Sequence, residues 1–137
     1  MAVVGAVQVR FEIVDATRLR GHERTRPELL NRLTDEIRRD GYVKKPLLVA
    51  EGSYVILDGH HRYWALRALG CVRIPVYLVD YASEEIQLTT WPEAAVKHVT
   101  KEEVLARAER DPFPPKTTRH IVRFPLEDHA VDLKDLR

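Results

Sequence analysis

Hydrophobic and polar positions alternate at the start of the chain. Val7, Val9, Phe11 and Ile13 are separated by Gln8, Arg10 and Glu12, the period-two pattern of a strand with one buried face. Past the polar stretch DATRLRGHERTR the period changes. Leu29, Leu30, Leu33 and Ile37 share one face of a helix that Pro27 opens and Gly41 closes, with the basic RRD in its last turn. KPLLVA and YVILD, on either side of EGS, predict two short strands. GHHRYWALRALG then predicts a helix with Trp64, Ala65, Ala68 and Leu69 on its apolar face and Gly70 as its stop. VRIPVYLVDY predicts a further strand, which Pro75 assigns to a sheet edge or a strand start. EIQLTTW alternates through Ile86, Leu88 and Thr90, and TKEEVLARAERD begins with a capping box, Thr100 to Glu103. The C-terminal stretch has a proline-rich loop and a short apolar run, HIVRF. Together these elements predict an α/β (α+β) fold, a small mixed sheet interrupted by helices. No repeat, low-complexity tract or linker divides the chain, so one domain over residues 1–137 is expected.

Composition narrows the class. Hydrophobic residues make up 45% and charged residues 31%, the balance of a soluble globular protein. No apolar run approaches the ~20 residues of a membrane span, and the apolar start lacks the basic flank of a signal peptide, so a cytoplasmic protein with no membrane partner is expected. The single cysteine, Cys71, excludes an internal disulfide framework and a zinc ribbon; a small core residue is expected there. Net charge is +1, from 22 basic and 21 acidic residues, which gives no strong electrostatic footprint for nucleic acid. A local basic face stays open.

Candidate chemistry concentrates in VILDGHHRYWALRALG, where a strand turns into a helix. Gly59 allows a tight turn and close backbone approach. The helix start offers free N–H groups and the positive end of its dipole, a ready site for phosphate. Arg62 can add a two-pronged contact, and His60 and His61 can donate hydrogen bonds. Asp58 can cap the helix, hold Mg²⁺ or accept a proton. Adjacent histidines on a helix point about 100° apart, and no HxxxH or HExxH spacing completes a zinc site. Phosphate is therefore the better reading of the cluster. For the single residues plainer roles stay open: Asp58 as a cap only, Arg62 as a solvated side chain.

The same stretch resembles the signature of the ParB/sulfiredoxin superfamily. RPELLNRLTDEIRRDGYVKKPLLV is also similar, so the resemblance runs from about Val7 to Val79. It implies that fold, and a Gly-x-x-Arg turn, Gly59, His60, His61 and Arg62, that binds nucleotide phosphate. Sulfiredoxin carries its cysteine where this chain has His60. The chromosome-partitioning ParB proteins carry GERR where this chain has GHHR, and add a helix-turn-helix domain for which this length leaves no room. The free serine kinase branch resembles the chain in three places. LRGHERTRPELL implies Glu23 as the catalytic residue, DGHHR implies the phosphate turn with Asp58, and FPPKTTRH implies Lys116, Thr117, Thr118, Arg119 and His120 in the ligand pocket. Residues 111–137 are then a C-terminal extension contributing to that pocket.

This resemblance implies phosphorylation of free L-serine to O-phosphoserine, with ATP or ADP as donor and Mg²⁺ as cofactor. The residues can do that chemistry. Glu23 can take the serine proton, Asp58 can hold Mg²⁺ or share the base role, and KTTRH supplies cations and hydroxyls for phosphate or carboxylate. His120 and Trp91 can bind the amino acid, Trp91 as a wall of its pocket. Plainer alternatives remain: Glu23 in surface ion pairs with nearby arginines, Lys116 and Arg119 in a solvated loop, and Trp91 in the core. The runner-up function is a ParB-like nucleotide-binding transcriptional regulator or DNA-associated module without kinase activity.

Overall fold

Four strands build the central sheet in the order β1-β5-β3-β4, with β1 at Val9–Asp15, β3 at Leu47–Ala50, β4 at Ile56–Asp58 and β5 at Arg73–Val79. The computed structural model describes residues 9–108 and 110–137; Val7, expected in the first strand, lies outside them. Every residue of the run LLVA in β3 is buried. Leu47 and Val49 enter one apolar cluster, Leu48 and Ala50 another, so the sheet is covered on both faces. Such a strand reads as a continuous apolar run rather than an alternating one.

Helices α1 (Pro27–Asp40) and α2 (His60–Ala68) cover the first face, through Leu30, Leu33 and Ile37 and through Tyr63, Ala65 and Leu66. Pro27 stands in the first turn of α1, and Gly41 ends it in the left-handed conformation at φ 80°. An antiparallel ribbon of β6 (Ile86–Thr90) and β7 (Thr118–Val122) covers the second face together with α3 (Lys101–Arg107). Thr100 and Glu103 close the expected capping box on α3. The C-terminal residues are woven in. β8 (Val131–Asp132) pairs with β2 (Tyr42–Val43), and Leu133 and Leu136 are buried in the first cluster with Cys71.

Three details differ from the sequence pattern. Trp64 and Ala68 are exposed, Trp64 to 50%, and the inner face of α2 runs through His60, Tyr63 and Leu66. Tyr63 takes the interior place because its hydroxyl donates to the Ala16 carbonyl at 3.0 Å; Trp64 meets its ring edge-on from outside. Ile13 is 42% exposed while Val14 is buried: the alternation breaks at the end of an edge strand. Of the two places that Pro75 left open, the sheet edge is excluded, since β5 is a central strand; Pro75 stands near its start, as the third residue. Pairing of β5 with β3 begins only at Val76, opposite Leu47, so the N–H that Pro75 lacks is not missed by β3. Among the described residues no helix is long and apolar enough to cross a membrane.

Candidate active site

The joint between β4 and α2 is built on Gly59. Its φ of 108° is open to glycine and strained for other residues. A Cβ there would lie 2.8 Å from Leu47 Cγ and 2.9 Å from Arg62 Nη2. Gly59→Ala is therefore expected to lower stability by roughly 1–3 kcal/mol in urea denaturation, from strain and overpacking together; an unchanged midpoint would contradict this account. Gly59 itself is the helix cap and no side chain caps α2, so Asp58 does not play that part. Its exposed carboxylate instead meets Arg62 Nη2 at 3.4 Å, one turn on.

Glu23 reaches the joint from a loop far away in the chain. Phe113 N–H donates to the His22 carbonyl at 2.8 Å and Arg24 N–H to the Phe113 carbonyl at 2.9 Å, which stitches GHER to DPFPPK. Phe113 is fully buried and anchors the seam. Beyond it Lys116 adopts a left-handed backbone at φ 58°, and the chain turns its amides onto Glu23. Oε1 of Glu23 accepts from Thr117 N–H at 3.0 Å and Thr118 N–H at 2.9 Å, and Thr118 Oγ1 lies 3.1 Å away. Burial pushes the Glu23 carboxyl above the usual carboxylate range, and the amides of Thr118 and Thr117 pull the other way. This inward carboxylate is not the surface ion-pair partner that its arginine-rich neighbourhood left open.

A cavity of about 350 Å³ lies between these two constructions. Asp58, Gly59, His60 and His61 line it from the joint; Glu23, Lys116, Thr118, Arg119 and His120 line it from the loop and β7, with Trp91 beside them. Trp91 is thus a wall of the cavity, and the Arg119 guanidinium stands 4.7 Å over its ring with the Lys116 ammonium at 5.9 Å. Two residues expected here are not in the lining. Thr117 is buried with its hydroxyl donating to the Pro114 carbonyl at 2.8 Å, so it offers only its amide, to Glu23. Arg62 lines a neighbouring cavity of about 490 Å³ with Leu33, Ile37, Tyr42 and Lys45; Asp58 and His61 border both.

The histidines are partly committed. His60 Nε2 accepts from His22 N–H at 3.1 Å and His61 Nε2 from Arg26 N–H at 3.0 Å, so each can donate only through Nδ1. His60, His22 and His120 pack together, with His22 edge-on to both others. Burial holds all three neutral: His22 is pushed down to about 4, His120 to about 3, and His60 well below the ordinary value. His120 Nε2 lies 2.8 Å from the Tyr81 hydroxyl. Sequence reasoning missed His22 and Tyr81, which meet the lining residues Thr118 and His120. His22 had a signal in its place beside Glu23; Tyr81, at the end of a strand, had none.

The sequence model of the ParB N-terminal domain matches residues 2–95. The chain belongs to the ParB N-terminal domain family. This ParB-type domain is 32% identical over 103 residues to an ATP-dependent L-serine kinase of Staphylothermus marinus, covering 72% of the chain and 41% of that kinase. It is 38% identical over 82 residues to a ParB-like protein of Sulfolobus acidocaldarius, covering 60% and 41%. The chain thus spans about two-fifths of the length of these relatives. Among solved structures, a free serine kinase in complex with AMP superposes with a TM-score of 0.83 at 20% identity, covering 93% of each chain. That agreement shows a shared mixed α/β fold along nearly the whole ParB-type domain.

Proposed function

We propose that this domain transfers the terminal phosphoryl group of ATP or ADP to the hydroxyl of free L-serine. One observation carries the reading: a carboxylate held by the loop at 116–118 faces the same cavity as the glycine-initiated helix start. Relatives named ATP-dependent and ADP-dependent L-serine kinase support the same chemistry. The whole chain is read as one domain, with residues 111–137 contributing to the ligand pocket, in a cytoplasmic protein.

In this reading the free amides of the α2 start and His61 hold the donor phosphates, with His60 Nδ1 beneath them. The nucleoside extends into the neighbouring apolar cavity beside Leu33 and Ile37, and Arg62 follows it from there. Arg119, Lys116 and His120 hold the amino acid against Trp91, and Thr118 lies between the two ligands. Glu23 takes the serine proton as its oxygen bonds to the terminal phosphorus; the bond to the leaving ADP or AMP breaks. Among the described residues no cluster of three metal-ligating side chains exists. Asp58, exposed and bordering both cavities, would hold an Mg²⁺ carried on the nucleotide phosphates. When bound, Mg²⁺ neutralises phosphate charge.

The test is incubation with Mg²⁺, L-serine and either ATP or ADP, with mass-spectrometric detection of O-phosphoserine. Product with one donor is the expected result; folded protein giving none with either would remove the kinase assignment. Similarity to a relative named ParB-like protein keeps a second reading, a nucleotide-binding transcriptional regulator or DNA-associated module without kinase activity. A rise in melting temperature with CTP or duplex DNA, and none with ATP or ADP, would favour it.

A further inference from the structure

His22 and Glu23 are chain neighbours whose side chains meet again through a third residue. Thr118 Oγ1 lies 3.1 Å from Glu23 Oε1 and 2.9 Å from His22 Nε2. On the other side of the ring, His22 Nδ1 lies 2.8 Å from the Ile56 carbonyl oxygen. A carbonyl only accepts, so Nδ1 carries the proton of a neutral imidazole and Nε2 is a bare lone pair. Thr118 has one hydroxyl proton for two acceptors. Oε1 already takes two backbone amides, whereas Nε2 sits on a fully buried ring and meets no other donor among the described residues. An unmet acceptor in that position is costly, so the hydroxyl goes to Nε2. Its own lone pairs then face Oε1. A charged carboxylate tolerates that contact badly, and a protonated one tolerates it well.

We propose that His22 is a positioning residue for Glu23: by holding the Thr118 hydroxyl away from the carboxylate, it makes Glu23 the stronger proton acceptor. The inference rests on the reading of Glu23 as the group that takes the serine proton. During transfer the proton leaves the serine hydroxyl for Glu23, the new O–P bond forms, and the nucleotide departs with the electrons of the old one. His22 gains no proton. Other groups around the pair are His60 on α2, His120 on β7, and Asp58, His61 and Lys116 on the cavity wall. Burial holds the His22 ring neutral, as it does His60 and His120 beside it.

The sign of one shift decides the matter. Carboxyl carbon NMR of ligand-free protein labelled in glutamate gives the titration midpoint of Glu23, its signal identified by loss in Glu23→Gln. With His22→Phe the hydroxyl is released to donate to Oε1, and the midpoint is expected to fall by about one pH unit, a tenfold change in proton affinity. Thr118→Val, which keeps the shape and removes the lone-pair contact, should also lower it; Thr118→Ser should not. If Thr118 instead donates to the carboxylate in the native protein, Thr118→Val raises the midpoint, and that result, or no change in either variant, overturns the proposal. In an active enzyme the acid limb of kcat falls with the midpoint while KM for L-serine holds. A midpoint that moves as expected in a protein making no O-phosphoserine would refute the kinase assignment and leave the hydrogen-bond chain standing.

Discussion

Glu23→Gln is expected to reduce formation of O-phosphoserine by ~10²–10⁴-fold, the usual contribution of a positioned base, while nucleotide affinity is retained. The substitution is nearly isosteric. A glutamine carbonyl can take the place of Oε1 beneath the amides of Thr117 and Thr118, so the turn that carries Lys116 and Arg119 keeps its shape. What is lost is the ability to take a proton. Glu23 lies beside Thr118, and in the proposed arrangement the donor phosphates are held by the α2 start, so a glutamine removes nothing that holds the nucleotide. Single-turnover product formation and calorimetric nucleotide binding separate the two effects. Undiminished turnover would exclude Glu23 as the base, and loss of nucleotide binding together with turnover would reassign it to holding the donor.

Mild acid is expected to destabilise the ligand-free protein steeply. In the folded state burial, which penalises the cation, pushes His22 down to about 4 and His120 to about 3, and His60 well below its ordinary value. Unfolded histidines titrate near 6.5. Below that value the unfolded chain binds protons that the folded chain refuses. The stability from each depressed group is therefore complete above about 6.5 and is lost as pH falls, at up to roughly 1.4 kcal/mol per pH unit, until the folded value is reached. Glu23, raised by burial, has the opposite sign and lowers stability as pH increases past the ordinary glutamate range. Three histidines outweigh one carboxyl group, so the urea midpoint should fall clearly between pH 7 and pH 5. Equal midpoints at the two values would mean that the histidines can take protons without leaving the fold.

Much of the architecture was legible from local patterns. Pro27 and Gly41 bounded α1, Thr100 and Glu103 capped α3, and Ile86, Leu88 and Thr90 marked β6, because helix ends and alternation depend on neighbours a few residues away. The failures were also local in origin. Hydrophobicity alone put Trp64 inside α2, yet the hydroxyl of Tyr63 and its partner on Ala16 decide which aromatic ring turns inward. Pro75 left a sheet edge or a strand start open, because sequence shows the missing amide but not which neighbouring strand has begun to pair. Val131, Leu133 and Leu136 were unread as core, since a short segment pairing with β2 from across the chain has too little periodicity to announce itself.

The sequence by itself determined the helix start at Gly59, the phosphate-suited chemistry of the turn after β4, and a resemblance that singled out Glu23 and KTTRH. Those features are carried by residue type and short spacing. Only the tertiary structure decided that Glu23 turns inward onto the amides of Thr117 and Thr118, that Thr117 and Arg62 leave the cavity lining, and that His22 meets Glu23 again through Thr118. Each of these depends on the seam between His22 and Phe113, and hydrogen bonds between segments some ninety residues apart leave no periodic mark in a sequence.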